Sequence, residues 1–335
     1  MCLAAVAIGQ NTRFPWVLAS NRDEFHDRPT SPLAWWQPEG DSTALLGGRD
    51  LAVGGRWLAL RADGRLALVS NVREPGRFDP AAPSRRGLVV EGLRAGPADA
   101  VWLSGATGAS CNGFNLLLAD LRTDHAVWAT NRPAQQQGLG AGVYGLSNAS
   151  LNTPWPKVSH LKCRLATLAA QRDSVERIAL QAFSALADRT QAADELLLRT
   201  GISTERERQL SSPFIHLPAT PQAGAYGTPC STVVVVEDLA AERCVHVFER
   251  RFDANGRWSG ETAERILLPA PAADPAPRRA IGSAVAPGLA ALMAWPVPGQ
   301  VPATPEAASL LVAMVGLTVA VTTAAAAAAA AAKKF

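Results

Sequence analysis

Residues 16–25 read WVLASNRDEF. The first half is apolar and suited to a strand, while the second half sets Asn21, Arg22, Asp23 and Glu24 in an unbroken row. A chemically capable cluster at a strand terminus is held in place by the backbone ladder, as a functional constellation requires. Upstream, residues 3–8 form another apolar run, and GQNTRFP (9–15) between the two is rich in turn formers. The two runs pair, so Cys2 lies at the end of the first strand, beside the polar end of the second.

Strand alternation sorts residues 20–24 onto two faces. Asn21 and Asp23 share one face; Ser20, Arg22 and Glu24 share the other. The expectation is that Asn21 and Asp23 lie near Cys2. Arg22 then points away, as scaffold or substrate clamp, with a structural ion pair between Arg22 and Glu24 as the alternative.

Cys2 carries the chemistry. A small second residue favours removal of Met1, which leaves a free α-amine on Cys2. That amine has a pKa of roughly 7.7–8.0, and a free thiol one of about 8.5. Nucleophile and general base then share one residue. The plainer alternative is a small apolar residue opening a buried strand. The N-terminal MCLAAVAIGQ lacks a cationic region and has too short an apolar stretch for a secretory leader. The expected start of the mature protein is therefore this one, apart from Met1, in a reducing, cytoplasmic compartment.

The 335 residues are enough for one large domain or two small ones, and 48% hydrophobic against 18% charged content supplies a core and excludes global disorder. A net charge of +3 with scattered arginines excludes a nucleic-acid footprint. Five cysteines without a CxxC pair exclude a disulfide scaffold or structural zinc site. The histidines show no metal-binding spacing, and neither GxGxxG after a strand nor GxxxxGK[ST] occurs. No cofactor is expected.

Hairpin signals recur at residues 56–60 with 65–70, 114–119 with 125–129, and 232–236 with 245–248. Helical periodicity appears over 86–94, 158–171 and 174–187. Hairpins with helices between them predict an α+β fold of antiparallel sheets covered by helices, over residues 1–265. Residues 266–306 read as a Pro/Ala-rich linker. Residues 307–335 form an Ala-rich apolar tail, either a low-complexity helix or a tail anchor that touches a membrane.

MCL at the terminus and SNRDEF (20–25) resemble the NRDE family, also called the transport and Golgi organization family. The resemblance continues in GGRDLAVGGRW (47–57), LVSNVRE (68–74), GFNLLLAD (113–120), YGLSNASLNTPWPKV (144–158) and AYGTPCSTVVVVED (225–238). That family is similar to N-terminal-nucleophile hydrolases of the bile-acid and penicillin-V acylase group. The resemblance implies an αββα sandwich and a thioester mechanism on linear amides. It implies that Asp23 holds the α-amine, that Asn148 is an oxyanion donor and that the Asn71 backbone N–H is a second one; Asn148 can equally cap a turn. Ser20 replaces the acylases' arginine, and Arg56 and Pro229 replace the threonine and arginine usual in the family. The implied partner is a small hydrophobic acyl-type molecule. Alternatively it is haem or acyl-CoA, bound and moved by a non-catalytic trafficking protein. Trp35 and Trp36 are read as rim packing or as the lining of an apolar cleft.

Overall fold

The computed structural model describes residues 2–269, apart from 39–42, 84, 172, 240 and 241. The first hairpin fixes everything that follows. Gly9 adopts φ +61°, a left-handed conformation that glycine reaches at little cost. The seven-residue connection then sets Ile8 of β1 (Cys2–Ile8) opposite Trp16 of β2 (Trp16–Phe25). Counting back along this register, Cys2 pairs with Arg22 and Leu3 with Asn21.

The chain continues through β3 (Thr30–Trp36), β4 (Leu45–Asp50), β5 (Leu58–Arg61) and β6 (Arg65–Asn71). Helices α1 (Leu88–Ala95) and α2 (Ala100–Thr107) precede β7 (Phe114–Asp120), β8 (His125–Asn131), β9 (Ala134–Leu139) and β10 (Gly142–Leu146). Then come α3 (Pro156–Ala170), α4 (Val175–Leu186) and α5 (Thr204–Gln209), followed by β11 (His216–Leu217), β12 (Tyr226–Asp238), β13 (Glu242–Phe252) and β14 (Trp258–Pro269). The last strand carries the folded domain four residues past the expected boundary at 265. The rest of the linker and the whole tail lie outside the described residues.

Among the described residues the strands form two antiparallel sheets of seven. One runs β10-β1-β2-β12-β13-β14, with β11 added to β12; the other runs β3 to β9 in chain order. Alternation along β1 explains how the layers stack. Ala4, Val6 and Ile8 pack with Leu46, Leu60, Leu117 and Trp128 of the second sheet. Leu3, Ala5 and Ala7 pack instead against Leu161 and Leu165 of α3 and Ala182 of α4. On the far side, α1 and α2 bury Leu93 and Leu103 against Leu116 and Leu118 of β7. The order is helix, sheet, sheet, helix: the αββα sandwich expected. Strands covered on both faces read as continuous apolar runs, as CLAAVAI does.

Candidate functional site

Antiparallel partners present their side chains on the same face. Cys2 therefore shares the inter-sheet face with its partner Arg22, and Asn21 shares the opposite face with Leu3. This corrects the expected placement. The Asn21 amide donates to the carbonyls of Leu186 and Pro213, both at 2.9 Å, and its oxygen accepts from Ser231 Oγ at 2.6 Å. Asn21 ties the sheet to the helix layer and does not approach the thiol. The error was one of parity: alternation along one strand sorts faces, but only the hairpin register says which face is Cys2's.

Arg22 does not point away; it lines the same cleft as Cys2. Its guanidinium, buried to 5% exposure, stacks 4.5 Å from the centroid of Trp57. Gly48 leaves no room for a side chain against that ring. Arg22 donates to Thr30 Oγ1 at 3.1 Å and to Asp50 Oδ2 at 3.3 Å, and Arg28 Nε donates to the same Asp50 oxygen at 2.6 Å. Glu24 stands farther off, 4.0 Å from Arg22 and 3.8 Å from Arg28. The Arg22–Glu24 pair exists, but Asp50 is the closer partner.

Asp23 lies opposite a β-bulge. Between Gly227 and Cys230 the β12 register slips by one residue, inserting Thr228-Pro229 where proline's missing N–H costs no ladder bond. The bulge aims Thr228 Oγ1 at Asp23 Oδ1, 2.7 Å away. The Asp23 backbone N–H meets the Cys2 sulfur, so this residue does reach the nucleophile, through its main chain. Burial pushes the Asp23 carboxyl above its ordinary range, opposed by the nearby charges of Lys157 and Arg22 and by the Thr228 hydrogen bond. Lys157, on the first turn of α3, is 1% exposed. Burial depresses its ammonium, and the charge of Asp23 is the largest influence holding it up.

Burial likewise raises the Cys2 thiol, with Asp23 adding to the rise and Arg22 opposing it. The Cys2 carbonyl accepts from Ser147 Oγ at 3.1 Å. Asn148 is buried beside it, and its Nδ2 donates to the Asn71 carbonyl at 3.0 Å. Asn71, at the end of β6, lines the cleft. Cys2, Arg22, Asp23 and Asn71 thus converge on a cleft of about 440 Å³, with Asn148 behind Asn71. Trp35 and Trp36 lie off its lining: Trp35 Nε1 donates to Glu264 at 3.3 Å, and Trp36 lies under the Arg56 guanidinium. The aromatic walls are Trp57 and Phe78.

The sequence reading missed Asp50, Arg28, Trp57, Arg85, Thr228 and Lys157. Lys157 alone left a legible signal. It sits with Leu161, Leu165 and Leu168 on the apolar stripe of α3, where a charge needs a buried partner.

A helix–sheet–sheet–helix sandwich whose first strand delivers a cysteine to a cleft between the sheets is an N-terminal-nucleophile-hydrolase-like fold. Within that class the chain belongs to the family described as Transport and Golgi organisation 2, whose model matches residues 1–254. It is 30% identical over 266 residues to the Transport and Golgi organization 2 homolog of Mus musculus, covering 75% of this chain and 92% of that one. It is 33% identical over 233 residues to the Bos taurus homolog, covering 66% of this chain and 82% of that one. Among solved structures, a C2A mutant of the conjugated bile acid hydrolase from Clostridium perfringens aligns at TM-score 0.39 and 9% identity, over 79% of this chain and 96% of that one. The Caenorhabditis elegans ortholog of N-acylethanolamine-hydrolyzing acid amidase aligns at TM-score 0.41 and 13% identity, over 70% and 92%. No helix among the described residues is long and apolar enough to cross a membrane.

Proposed function

We propose that the chain is an N-terminal-nucleophile hydrolase that cleaves an amide or ester of a hydrophobic acyl group. One observation carries the reading: the Cys2 side chain opens into a 440 Å³ cleft with Arg22 across the strand and Asp23 at its sulfur. Removal of Met1 exposes the α-amine that serves as base. The thiol gives its proton to that amine and attacks the acyl carbonyl. The leaving amine or alcohol takes the proton, and water then hydrolyses the thioester. Asp23 holds the α-ammonium through a charge-assisted hydrogen bond. Asn148 keeps one amide N–H on Asn71 and offers the other to the tetrahedral oxygen. Such a donor lowers the barrier by about 3 kcal/mol.

A carrier reading, in which the cleft holds haem or an acyl-CoA without turnover, is favoured by the burial that raises the Cys2 thiol while Met1 is retained, since a neutral thiol is a poor nucleophile. Intact mass before and after incubation with fatty-acyl amides and esters separates the two. The hydrolase shows complete loss of Met1, a transient acyl adduct on Cys2 and released product. Retained Met1 in active protein, or stoichiometric binding without product, would overturn it.

A further inference from the structure

The cleft is lined by four arginines, and they are not equivalent. Arg22 and Arg28 share Asp50 and Glu24, so their charge is balanced within the wall. Arg56 and Arg85 have no carboxylate within ion-pair distance among the described residues. Arg56 lies 3.5 Å over the Trp36 ring and donates to the Gly54 carbonyl, while its buried Nε has no partner. The charge of Arg49 on the same side adds to its own. Arg85 donates one N–H to the Gly113 carbonyl at 2.7 Å, and the ionisable groups that act on it are Cys111 and Cys2. Two further acids line the cleft: Asp79 accepts the Ala81 N–H at 2.8 Å, and Asp23 accepts from Thr228 Oγ1 at 2.7 Å beside buried Lys157. Burial lowers both guanidiniums from the usual arginine range, yet a group that titrates so far above neutrality stays charged, and donors not taken by the backbone carbonyls remain for a ligand. Trp57, Val69 and Phe78 add apolar wall, and Asn71 and Asn112 add polar lining.

We propose that Arg56 and Arg85 make the cleft an anion subsite, each as a separate contact, so that the molecule bound beside Cys2 is an acyl compound carrying a carboxylate or phosphate group. This deepens the hydrolase reading and rests on it only for the chemistry at Cys2, because the subsite would serve a carrier as well. Each guanidinium can recognise either oxyanion by bidentate hydrogen bonds, so each is an anion contact in its own right. The apolar walls take the chain.

The test compares alkylation of Cys2 by anionic iodoacetate and neutral iodoacetamide, followed by peptide mapping of the full chain. The rate ratio cancels the thiolate fraction, so it reads the cleft's preference for negative charge and not the thiol pKa. At Cys2 the ratio should exceed that at exposed Cys163 by about tenfold, equivalent to about 1.4 kcal/mol. Arg56→Gln and Arg85→Gln should each lower it a fewfold, and Arg85→Lys should largely restore it. Equal ratios at both cysteines, or a ratio unmoved in the double glutamine variant, would overturn the subsite. In a second arm, decanoate and decyl phosphate should protect Cys2 at concentrations at least tenfold lower than decanamide. The stronger of the two anions assigns the headgroup chemistry, and equal protection by decanamide would overturn the proposal. A persistent anion preference without turnover of any acyl substrate would leave the subsite standing and remove the hydrolase.

Discussion

The amide of Asn148 donates to the carbonyl of Asn71 across 3.0 Å, and so stitches the end of β6 in one sheet to the segment after β10 in the other. The reverse side of the stitch is as firm: Arg73 N–H donates to the Asn148 carbonyl at 2.7 Å, and Ser70 Oγ donates to the Ser147 carbonyl at 2.9 Å. The proposed oxyanion donor is thus a structural clasp between the sheets as well.

Asn148→Ala should therefore act twice. Leaving the Asn71 carbonyl without its donor should cost about 1–3 kcal/mol of stability in a urea melt. Turnover should fall by about 10²–10³. A variant that loses stability but keeps full turnover would reduce Asn148 to the clasp.

Asn21→Ala should behave as a purely structural lesion. It strands two buried carbonyls and the Ser231 hydroxyl, each costing about 1–3 kcal/mol when unpaired. Urea unfolding should show the loss, while the alkylation rate of Cys2 in the folded protein stays within twofold of wild type. A large change in that rate would place Asn21 at the thiol after all.

Arg22→Met should slow alkylation of Cys2 by iodoacetamide at pH 8 severalfold, because a cation that favours the thiolate is gone. Asp50 keeps Arg28 at 2.6 Å, so the substitution does not strand a buried carboxylate. Losing the stack on Trp57 should cost about 0.5–2 kcal/mol. An unchanged rate would mean that Arg22 serves the wall and not the nucleophile.

The pH profile of Cys2 has a defined direction. Burial favours the neutral thiol, so the midpoint of its alkylation should lie above that of a free cysteine in solution while Met1 is retained. Reactivity then rises with pH through the raised midpoint. Trimming of Met1 places an ammonium on Cys2 itself, which favours the thiolate and should move the midpoint down. Peptide-mapped alkylation of trimmed and untrimmed protein between pH 6 and 11 checks the sign of both shifts.

Much of the sandwich was legible because its strands are short apolar runs punctuated by turns. The connection over 62–64, with Gly64 at φ +92°, joins β5 to β6 where the hairpin was expected. Ser174 accepts from Arg177 N–H and caps α4 where periodicity began it. The AQQQGL strand β9 was missed, since five of its six residues are exposed and carry no alternation. The site was legible as a set of segments: the segments holding Cys2, Asp23, Asn71 and Asn148 do converge. Which side chain of 21–24 faces the thiol was not legible from that segment alone, since the Ile8–Trp16 pairing decides it. Asp50 and Arg85 reach the cleft through long-range folding that leaves no local pattern.

β1 is an interior strand, and its outer end is locked on the far side by Ser147, 145 positions later in the chain. At about 5–20 residues per second of synthesis, that partner emerges on the order of ten seconds after Cys2 does. Trimming of Met1 therefore has its own clock. An aminopeptidase that acts within this interval meets a loose end, and one that arrives later meets a strand already closed on both sides. On the hydrolase reading, the proportion of protein carrying its α-amine on Cys2 is then set by a race between peptidase and ribosome. Slowing the peptidase should yield a chain that is fully folded and yet carries its α-amine on Met1 and not on Cys2.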